Sequence, residues 1–203
     1  MGTYRTVVRA CEVEIDKVKG SRFLAAVWPV DSAVEAQELL AGRRAEHRDA
    51  THCCWAWRLG LDLESRRYSD DGEPAGTAGR PILQEIDGRR LTQVLLAVTR
   101  YFGGTKLGTG GLLRAYAEAA AAVLEAATIV EVTITRRLEI RFAYELTGPV
   151  MAVLAAYRLH PGEARYDSST SLLLEVPEEA ESELRRSLRD ATTGRIVFPE
   201  PAP

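Results

Sequence analysis

The chain has few cysteines, few lysines and no long apolar run, and each shortage excludes a class of protein. There are 3 cysteines among 203 residues, an odd number without C-x-x-C spacing, which excludes a disulfide framework and a cysteine-based zinc or redox motif. No run approaches the roughly 18 apolar residues of a membrane helix. The opening residues have no apolar core of signal-peptide type. We therefore expect a cytoplasmic protein with no membrane partner and small, buried cysteines.

The overall composition is that of an ordinary globular protein. Hydrophobic residues make up 46% and charged residues 27% of the chain, and the formal net charge is −3. This charge excludes a nucleic-acid polycation but leaves room for local basic patches. The lysines are confined to Lys17, Lys19 and Lys106. The length corresponds to one large or two small domains.

Glycine is concentrated in one segment of the chain. Nine of the 16 glycines fall between positions 72 and 111. Apart from Gly88 they are Gly72, Gly76, Gly79, Gly103, Gly104, Gly108, Gly110 and Gly111. Glycine loses more backbone entropy on folding than any other residue, so a cluster is kept where positive φ or close backbone approach is needed. Two explanations stay open: tight turns, or a surface on which bare main-chain N–H groups meet a ligand or partner.

The glycines at 103–111 lead directly into a predicted helix. From Gly111 the residues LLRAYAEAAAAVLEAA have high helix propensity, and the free N–H groups at a helix N-terminus attract anions. Lys106 and Arg114 add positive charge on either side. The pattern is compatible with a phosphate or carboxylate site, although it lacks both the P-loop and the dinucleotide-binding spacing.

An acidic turn and a histidine form a second candidate site. Asp70, Asp71 and Glu73 supply oxygen ligands, and His52 supplies a general base or a metal ligand. The simpler interpretation is that the acids accept hydrogen bonds from backbone N–H groups of the following helix and that the histidine is structural. The calcium-loop pattern is not met, because Pro74 and the residues after it occupy ligand positions. We predict no metal and no cofactor.

The segment 91–101 is predicted to be the central strand, because residues 94–98 are apolar without alternation and therefore buried on both faces. Arg100, Tyr101 and Phe102 follow at its end. They are suited either to stacking on bases and clasping a phosphate or to a structural contact with the acidic turn. The residues alone leave these alternatives equal.

Hydrophobic periodicity predicts the remaining elements. Strands are expected at 6–18, 22–28, 51–59 and 129–142, with helices at about 32–46, 79–87 and 111–128. The first of these helices begins with the capping box of Ser32 and Glu35. Further along, a helix at 146–157, strands at 162–167 and 171–176, a helix at 178–190 and a strand at 195–198 complete a βαββαβ order, which is ferredoxin-like. We therefore expect an α+β protein with domains at 1–130 and 131–203.

Several motifs together resemble the YigZ/IMPACT family of translation-associated proteins. They are KGSRFLAAVWPV at 19–30, DATHCCWAWRLG at 49–60, DDGEPAGTAGRPIL at 70–83 and VTRYFGGTKLGTGGLLRAY at 98–116. One departure is Cys53-Cys54-Trp55, where the family pattern has a polar residue before the cysteine and a tyrosine after it. The resemblance implies an N-terminal domain like domain 2 of ribosomal protein S5 and a C-terminal domain like domain V of elongation factor G. Neither fold alone implies a reaction.

The favoured function is therefore a non-catalytic, translation-associated binding or regulatory protein. Its partner is expected to be RNA, the ribosome or a translation-associated protein; no oligomeric state is predicted. The candidate binding residues are Arg100, Tyr101, Gly103, Gly104, Lys106, Gly108, Gly110, Gly111 and Arg114. The alternative is a metal-assisted hydrolase that uses His52 with Asp70, Asp71 and Glu73. The chain lacks the G-x-S-x-G and H-E-x-x-H motifs, which favours binding over catalysis.

Overall fold

The computed structural model describes residues 2–60 and 65–199. The chain forms two compact units, Tyr4–Val132 and a second that runs from Thr133 onwards and includes the first residues of the chain. Among the described helices, none is long and apolar enough to cross a membrane.

The first unit combines seven strands with three helices. In chain order they are β1 (Thr3–Val7), β2 (Cys11–Glu14), β3 (Arg22–Pro29), α1 (Ala33–Glu46), β4 (His52–Arg58), β5 (Arg66–Ser69), α2 (Gly79–Gly88), β6 (Val94–Tyr101), α3 (Gly108–Ala126) and β7 (Ile129–Thr133). Strands β2 to β6 form a five-stranded sheet in the order β2-β3-β6-β4-β5, while β1 pairs with β7. Each neighbouring pair in the five-stranded sheet is antiparallel.

Strand β6 lies at the centre of this sheet, and apolar side chains cover both of its faces. Val94, Leu96 and Val98 belong to the core formed with α2 and α3, whereas Leu95 and Ala97 face α1. All five side chains are fully buried. The predicted burial on both faces is confirmed, and it makes β6 a rigid support for the residues that follow it.

Helix α1 begins as its capping box predicts. The Ser32 hydroxyl accepts a hydrogen bond from the Glu35 backbone N–H at 3.2 Å, and the Glu35 carboxylate accepts one from the Asp31 N–H at 2.8 Å. Near the end of the helix, Arg43 is buried; it donates to the Thr99 hydroxyl at 3.0 Å and pairs with Glu12. This arginine therefore ties α1 to the sheet.

Two long predicted strands are broken, because their halves pair with different neighbours. The segment predicted at 6–18 contains the end of β1, which pairs with β7, and all of β2, which pairs with β3. The segment predicted at 129–142 changes partner near Ile134, whose N–H donates to the Gly2 carbonyl at 2.8 Å. Alternation of apolar residues continues through the break near Ile134 and gives no sign of it, whereas the adjacent apolar pairs Val7-Val8 and Ala10-Cys11 interrupt the alternation between β1 and β2. Strand β5 is absent from the predicted elements, because its sequence RRYS has little apolar character.

The second unit contains three strands and two helices. They are β8 (Thr135–Phe142), α4 (Thr147–Ala156), β9 (Glu163–Tyr166), β10 (Thr170–Pro177) and α5 (Glu181–Ala191). The antiparallel sheet has the order β8-β10-β9, and Val197 forms an isolated bridge with Arg141 on β8. The strand predicted at 195–198 is thus reduced to one bridge. Helices α4 and α5 close the core against one face of the sheet, with Leu154, Leu174 and Leu184 fully buried.

The turn that precedes β3 and the loop that follows β6 meet at Gly20 and Gly103. A Cβ atom placed on Gly103 would lie 1.9 Å from the carbonyl carbon of Gly20 and 2.2 Å from the nitrogen of Ser21. Two non-bonded heavy atoms cannot approach each other so closely. Glycine at position 103 is therefore required by packing within the first unit.

We expect Gly103→Ala to lower the free energy of unfolding by about 3 kcal/mol or more, because the methyl group overlaps backbone that cannot rotate away. The matched control is Gly42→Ala in α1, where no atom lies within 4 Å of the added methyl. That change should raise stability by about 0.5–1 kcal/mol. Urea unfolding of both variants measures the difference, and equal stabilities would contradict the assigned packing.

Candidate functional site

The acidic turn, Asp70 to Glu73, is held by hydrogen bonds within the first unit. The carboxylate of Asp70 accepts from the N–H groups of Gly76 at 2.8 Å, Ala78 at 3.0 Å and Gly79 at 2.8 Å. Two of these donors lie at the start of α2, which has no cap from its own N-cap residue. Asp70 therefore caps α2 from nine residues upstream of Gly79. The interpretation that this acid accepts hydrogen bonds from backbone N–H groups of the following helix is correct.

Asp71 connects the turn to β4 and orients His52. Its carboxylate accepts from the Cys53 N–H at 2.7 Å and pairs with Arg44 at 2.9 Å. Its carbonyl oxygen lies 2.8 Å from Nδ1 of His52. Because a carbonyl can only accept, Nδ1 carries the proton of the neutral imidazole. The other ring nitrogen, Nε2, lies 3.9 Å from a carboxylate oxygen of Glu73.

Glu73 is the third acid of the turn, and it is buried. Its Oε1 accepts from Nη1 of Arg100 at 2.6 Å and from the hydroxyl of Tyr116 at 2.8 Å. Only 4% of its side chain is exposed. Glu73 therefore neutralises an internal cation and is not a free ligand.

Arg100, one of the candidate binding residues, does not form part of an exposed basic surface. Only 6% of its side chain is exposed, and Nη2 donates to the Ser21 hydroxyl at 3.3 Å. Its guanidinium lies 5.6 Å from the ring centroids of both Phe23 and Phe102. Of the two equal alternatives for this arginine, the structural contact with the acidic turn is the one present, because burial requires the guanidinium to be paired.

The same buried cluster includes a thiol and a phenol. The thiol of Cys54 lies 3.3 Å from the Tyr116 hydroxyl and 3.0 Å from the Asp70 carbonyl. Burial raises the pKa of Cys54 and the pKa of Tyr116 well above their ordinary values. Both groups are therefore neutral at physiological pH, so Cys54 lacks the thiolate character of a nucleophile.

The glycines of the loop 103–111 have different physical roles. Gly104 has φ +85° and Gly108 has φ +74°, conformations that favour glycine, and a methyl on Gly111 would lie 3.0 Å from Cβ of Leu107. Gly110 differs, since an added Cβ would meet no atom within 4 Å and its φ is not in the left-handed region. Neither packing nor backbone geometry requires glycine at position 110.

Helix α3 begins earlier than predicted, at Gly108, so three loop glycines lie in its first turn. Its N-cap residue, Leu107, provides no side-chain hydrogen bond to the first N–H groups. Within the part of the chain that the structure describes, those donors are therefore available to another acceptor.

A cavity of about 400 Å³ lies between the acidic turn and the start of α3. It brings both candidate sites together. Its lining consists of His52, Glu73, Pro74, Arg100, Phe102, Lys106, Leu107, Gly108, Thr109 and Leu112. Lys106 is exposed, and the part of the chain that the structure describes offers it no ion pair or hydrogen bond. It is thus the cation of the cavity that remains available.

Among the candidate binding residues that carry a side chain, Tyr101 and Arg114 do not line this cavity. Tyr101 is hydrogen-bonded to Nδ1 of His47 at 2.8 Å, and its ring lies 5.2 Å from the guanidinium of Arg22. Arg114 is exposed on α3 but does not line the cavity. Helical geometry explains its position, because it lies almost two turns beyond Gly108.

The acids needed for the hydrolase alternative do not converge on a common point. Asp70 is bound to backbone N–H groups, Asp71 to Arg44 and a backbone N–H, and Glu73 to Arg100 and a phenol. Within residues 2–60 and 65–199, no group of three histidine, cysteine or acidic side chains is placed to hold a metal ion. The donor set therefore does not fit a hydrolytic metal centre.

Several residues of the site were not predicted from the sequence. Tyr116, in the buried cluster, lies within an alanine-rich helix; its hydroxyl function follows only from contact with Glu73. Leu107 and Leu112 form apolar walls of the cavity. Their spacing of five residues around the start of a helix carried no signal for a ligand site.

The family model of the Impact N-terminal domain matches residues 19–124 of the sequence. This span contains every residue found to line the cavity. The chain belongs to the IMPACT family. The IMPACT family member YvyE of Bacillus subtilis is 34% identical over 198 residues, which cover 98% of this chain and 91% of that relative. YigZ of Escherichia coli is 33% identical over 185 residues, covering 90% of each chain.

Two further comparisons extend across both units. An IMPACT family member from Thermus thermophilus, described as lying in the pol 5′ region, is 38% identical over 88% of this chain and 97% of its own length. A crystal structure titled as that of a hypothetical protein matches 100% of this chain and 98% of its own chain, with a TM-score of 0.74 and 29% identity. The mixed α/β architecture of this IMPACT family chain thus has a solved counterpart over its whole length.

We expect Arg100→Met to lower the free energy of unfolding by about 3–5 kcal/mol, because it leaves the Glu73 carboxylate buried without a counter-ion. The double variant Arg100→Met/Glu73→Gln should recover part of this loss, since the amide still accepts from Tyr116 but carries no charge. Urea unfolding measures both effects. The control is Arg22→Ala, which breaks an exposed pair with Glu14 and should change stability far less. A similar loss in both arginine variants would be inconsistent with a special role for the buried pair.

Proposed function

We propose that this protein is a non-catalytic, translation-associated binding or regulatory protein of the cytoplasm. In this proposal the cavity beside α3 receives an anionic group of its partner, which is RNA, the ribosome or a translation factor. The membership of the IMPACT family supports the translation link. The observation that carries the proposal is the start of α3: its N-cap residue provides no side-chain hydrogen bond, and the adjacent Lys106 has no partner among the described residues.

The proposal includes a domain assignment. We assign residues 1–130 to a domain like domain 2 of ribosomal protein S5, and 131–203 to a ferredoxin-like domain resembling domain V of elongation factor G. Support for the second comes from the strand order β9-β10-β8 followed by the bridge at Val197, which agrees with a split βαββαβ arrangement. Both folds are shared by many unrelated functions, so the binding proposal rests on the cavity.

The chemistry of the cavity favours binding over turnover. The carboxylates that a hydrolase would use are occupied by internal partners, and burial raises the pKa of the Cys54 thiol. In contrast, Lys106 and the first N–H groups of α3 remain unoccupied by the described residues. Positive charge and helix N–H donors stabilise a bound phosphate or carboxylate without requiring proton transfer.

We expect Lys106→Ala to weaken association with RNA or ribosomes and to reduce the slope of log affinity against log salt by about one, the value for one lost phosphate contact. Lys17→Ala is the matched control, since it removes an exposed lysine that does not line the cavity. Co-sedimentation with ribosomes and fluorescence anisotropy with RNA, both across a salt series, provide the measurements. An unchanged affinity and slope for Lys106→Ala would reject the cavity as an anion site.

Gly110→Ala separates stability from binding. The added methyl meets no neighbour, so we expect it to raise the free energy of unfolding by about 0.5–1 kcal/mol through the loss of backbone entropy in the unfolded chain. It should nevertheless weaken partner binding, because it covers bare main chain in the first turn of α3. Thermal unfolding and the same anisotropy assay report the two effects. Higher stability with full binding would mean that the partner does not approach this backbone.

A further inference from the structure

The other face of the five-stranded sheet carries a groove that the proposed function does not use. Helix α1 packs on this face through Ala36 and Leu40. Beside it, along β4 and β5, lies a groove of about 420 Å³. We call it the tryptophan groove; the residues that matter for its chemistry are Gln37, Arg44, Trp55, Trp57, Arg67 and Ser69.

Two tryptophans form the wall of this groove. Trp55 and Trp57 alternate on β4, so their side chains emerge on the same face of the sheet. Their rings are stacked, with centroids 4.4 Å apart and planes 16° apart. Trp57 is buried at 3% exposure, whereas Trp55 is only partly buried. The inner ring thus holds the outer one in place, which provides a preorganised aromatic surface at little entropic cost.

The charge of the tryptophan groove is positive. Arg67 is opposite Trp57 in the β4–β5 register; it is exposed, and the described residues supply it with no ion-pair or hydrogen-bond partner. Arg44 reaches the groove from α1 and is half-exposed. Its ion pair with Asp71 is solvent-accessible, so a phosphate can replace the Asp71 carboxylate as its partner at small cost. Among residues 2–60 and 65–199, no carboxylate lines the groove.

The groove on the opposite flank of α1 shows that this charge is local. It is lined by three glutamates, Glu35, Glu38 and Glu46, together with Trp28 and the internally paired Arg43. The helical repeat separates these acids from Gln37 and Arg44 on the two sides of α1. A single helix therefore divides one sheet face into an acidic groove and a basic aromatic groove.

We propose that the tryptophan groove binds single-stranded RNA, with a base stacked on Trp55 and the adjoining phosphates paired with Arg67 and Arg44. Stacking on an aromatic ring requires an unpaired base, which a duplex does not offer. The combination of a π surface with nearby arginines matches the chemistry of single-strand binding. This site is independent of the cavity beside α3, because Lys106 and the start of α3 do not line it.

A fluorescent oligouridylate tests the groove in the full-length protein. Wild-type protein should bind it with quenching of tryptophan fluorescence, and a duplex of the same length should bind more weakly. Trp55→Leu should lower the affinity on the order of 10-fold, whereas Trp55→Phe keeps an aromatic face and should lose less. Arg67→Ala should weaken binding and reduce the salt slope by about one. Arg9→Ala removes an equivalent charge from an exposed loop and should have little effect.

Several results would overturn the proposal. They are the absence of oligouridylate binding by the wild type, equal binding of single strand and duplex, or wild-type affinity in both Trp55→Leu and Arg67→Ala. Polyglutamate serves as a model of an acidic polypeptide partner. If its binding requires Arg67 but is unchanged in Trp55→Leu, the groove recognises protein rather than RNA. Since Arg67 is an exposed residue of an edge strand, its variants should retain the wild-type melting temperature, which keeps the test valid if Trp55→Leu fails to fold.

Discussion

The buried ion pair between Arg100 and Glu73 is the interaction on which the arrangement of the first unit depends. It joins the end of β6 to the acidic turn, and Tyr116 brings α3 to the same carboxylate. A charge held at this depth is tolerated only when it is paired and hydrogen-bonded. The loops on either side must therefore close around the pair, and this closure creates the cavity between the turn and α3.

This pairing also divides the polar residues into two groups. Asp70, Asp71, Glu73 and Arg100 hold the structure together, since each is occupied by an internal partner. Lys106 and the first turn of α3 remain outside that network. The acidic turn and Arg100 are thus structural, and the binding chemistry that the described residues leave available at the cavity is the Lys106 ammonium group and the first backbone amides of α3.

The elements that depend on local pattern were predictable. The uninterrupted apolar run identified β6 as buried on both faces, and the capping box located the start of α1. Predictions failed where pairing partners change along the chain, as within 6–18 and 129–142, because the apolar pattern of a segment does not specify which strand lies beside it. The short polar strand β5 was missed, since pairing with β4 rather than its own composition makes it a strand.

By itself, the sequence determined the family, the α+β character, the glycine-rich loop leading into a helix and the acids that precede α2. These features depend on the chemistry of neighbouring residues and are readable within a short window. Only the tertiary structure decided that Arg100 faces inward while Lys106 remains free, and that Trp55 and Arg67 share a groove. The physical reason is that a side chain's availability depends on which distant groups neutralise or cover it, and the folded chain alone brings those groups within reach.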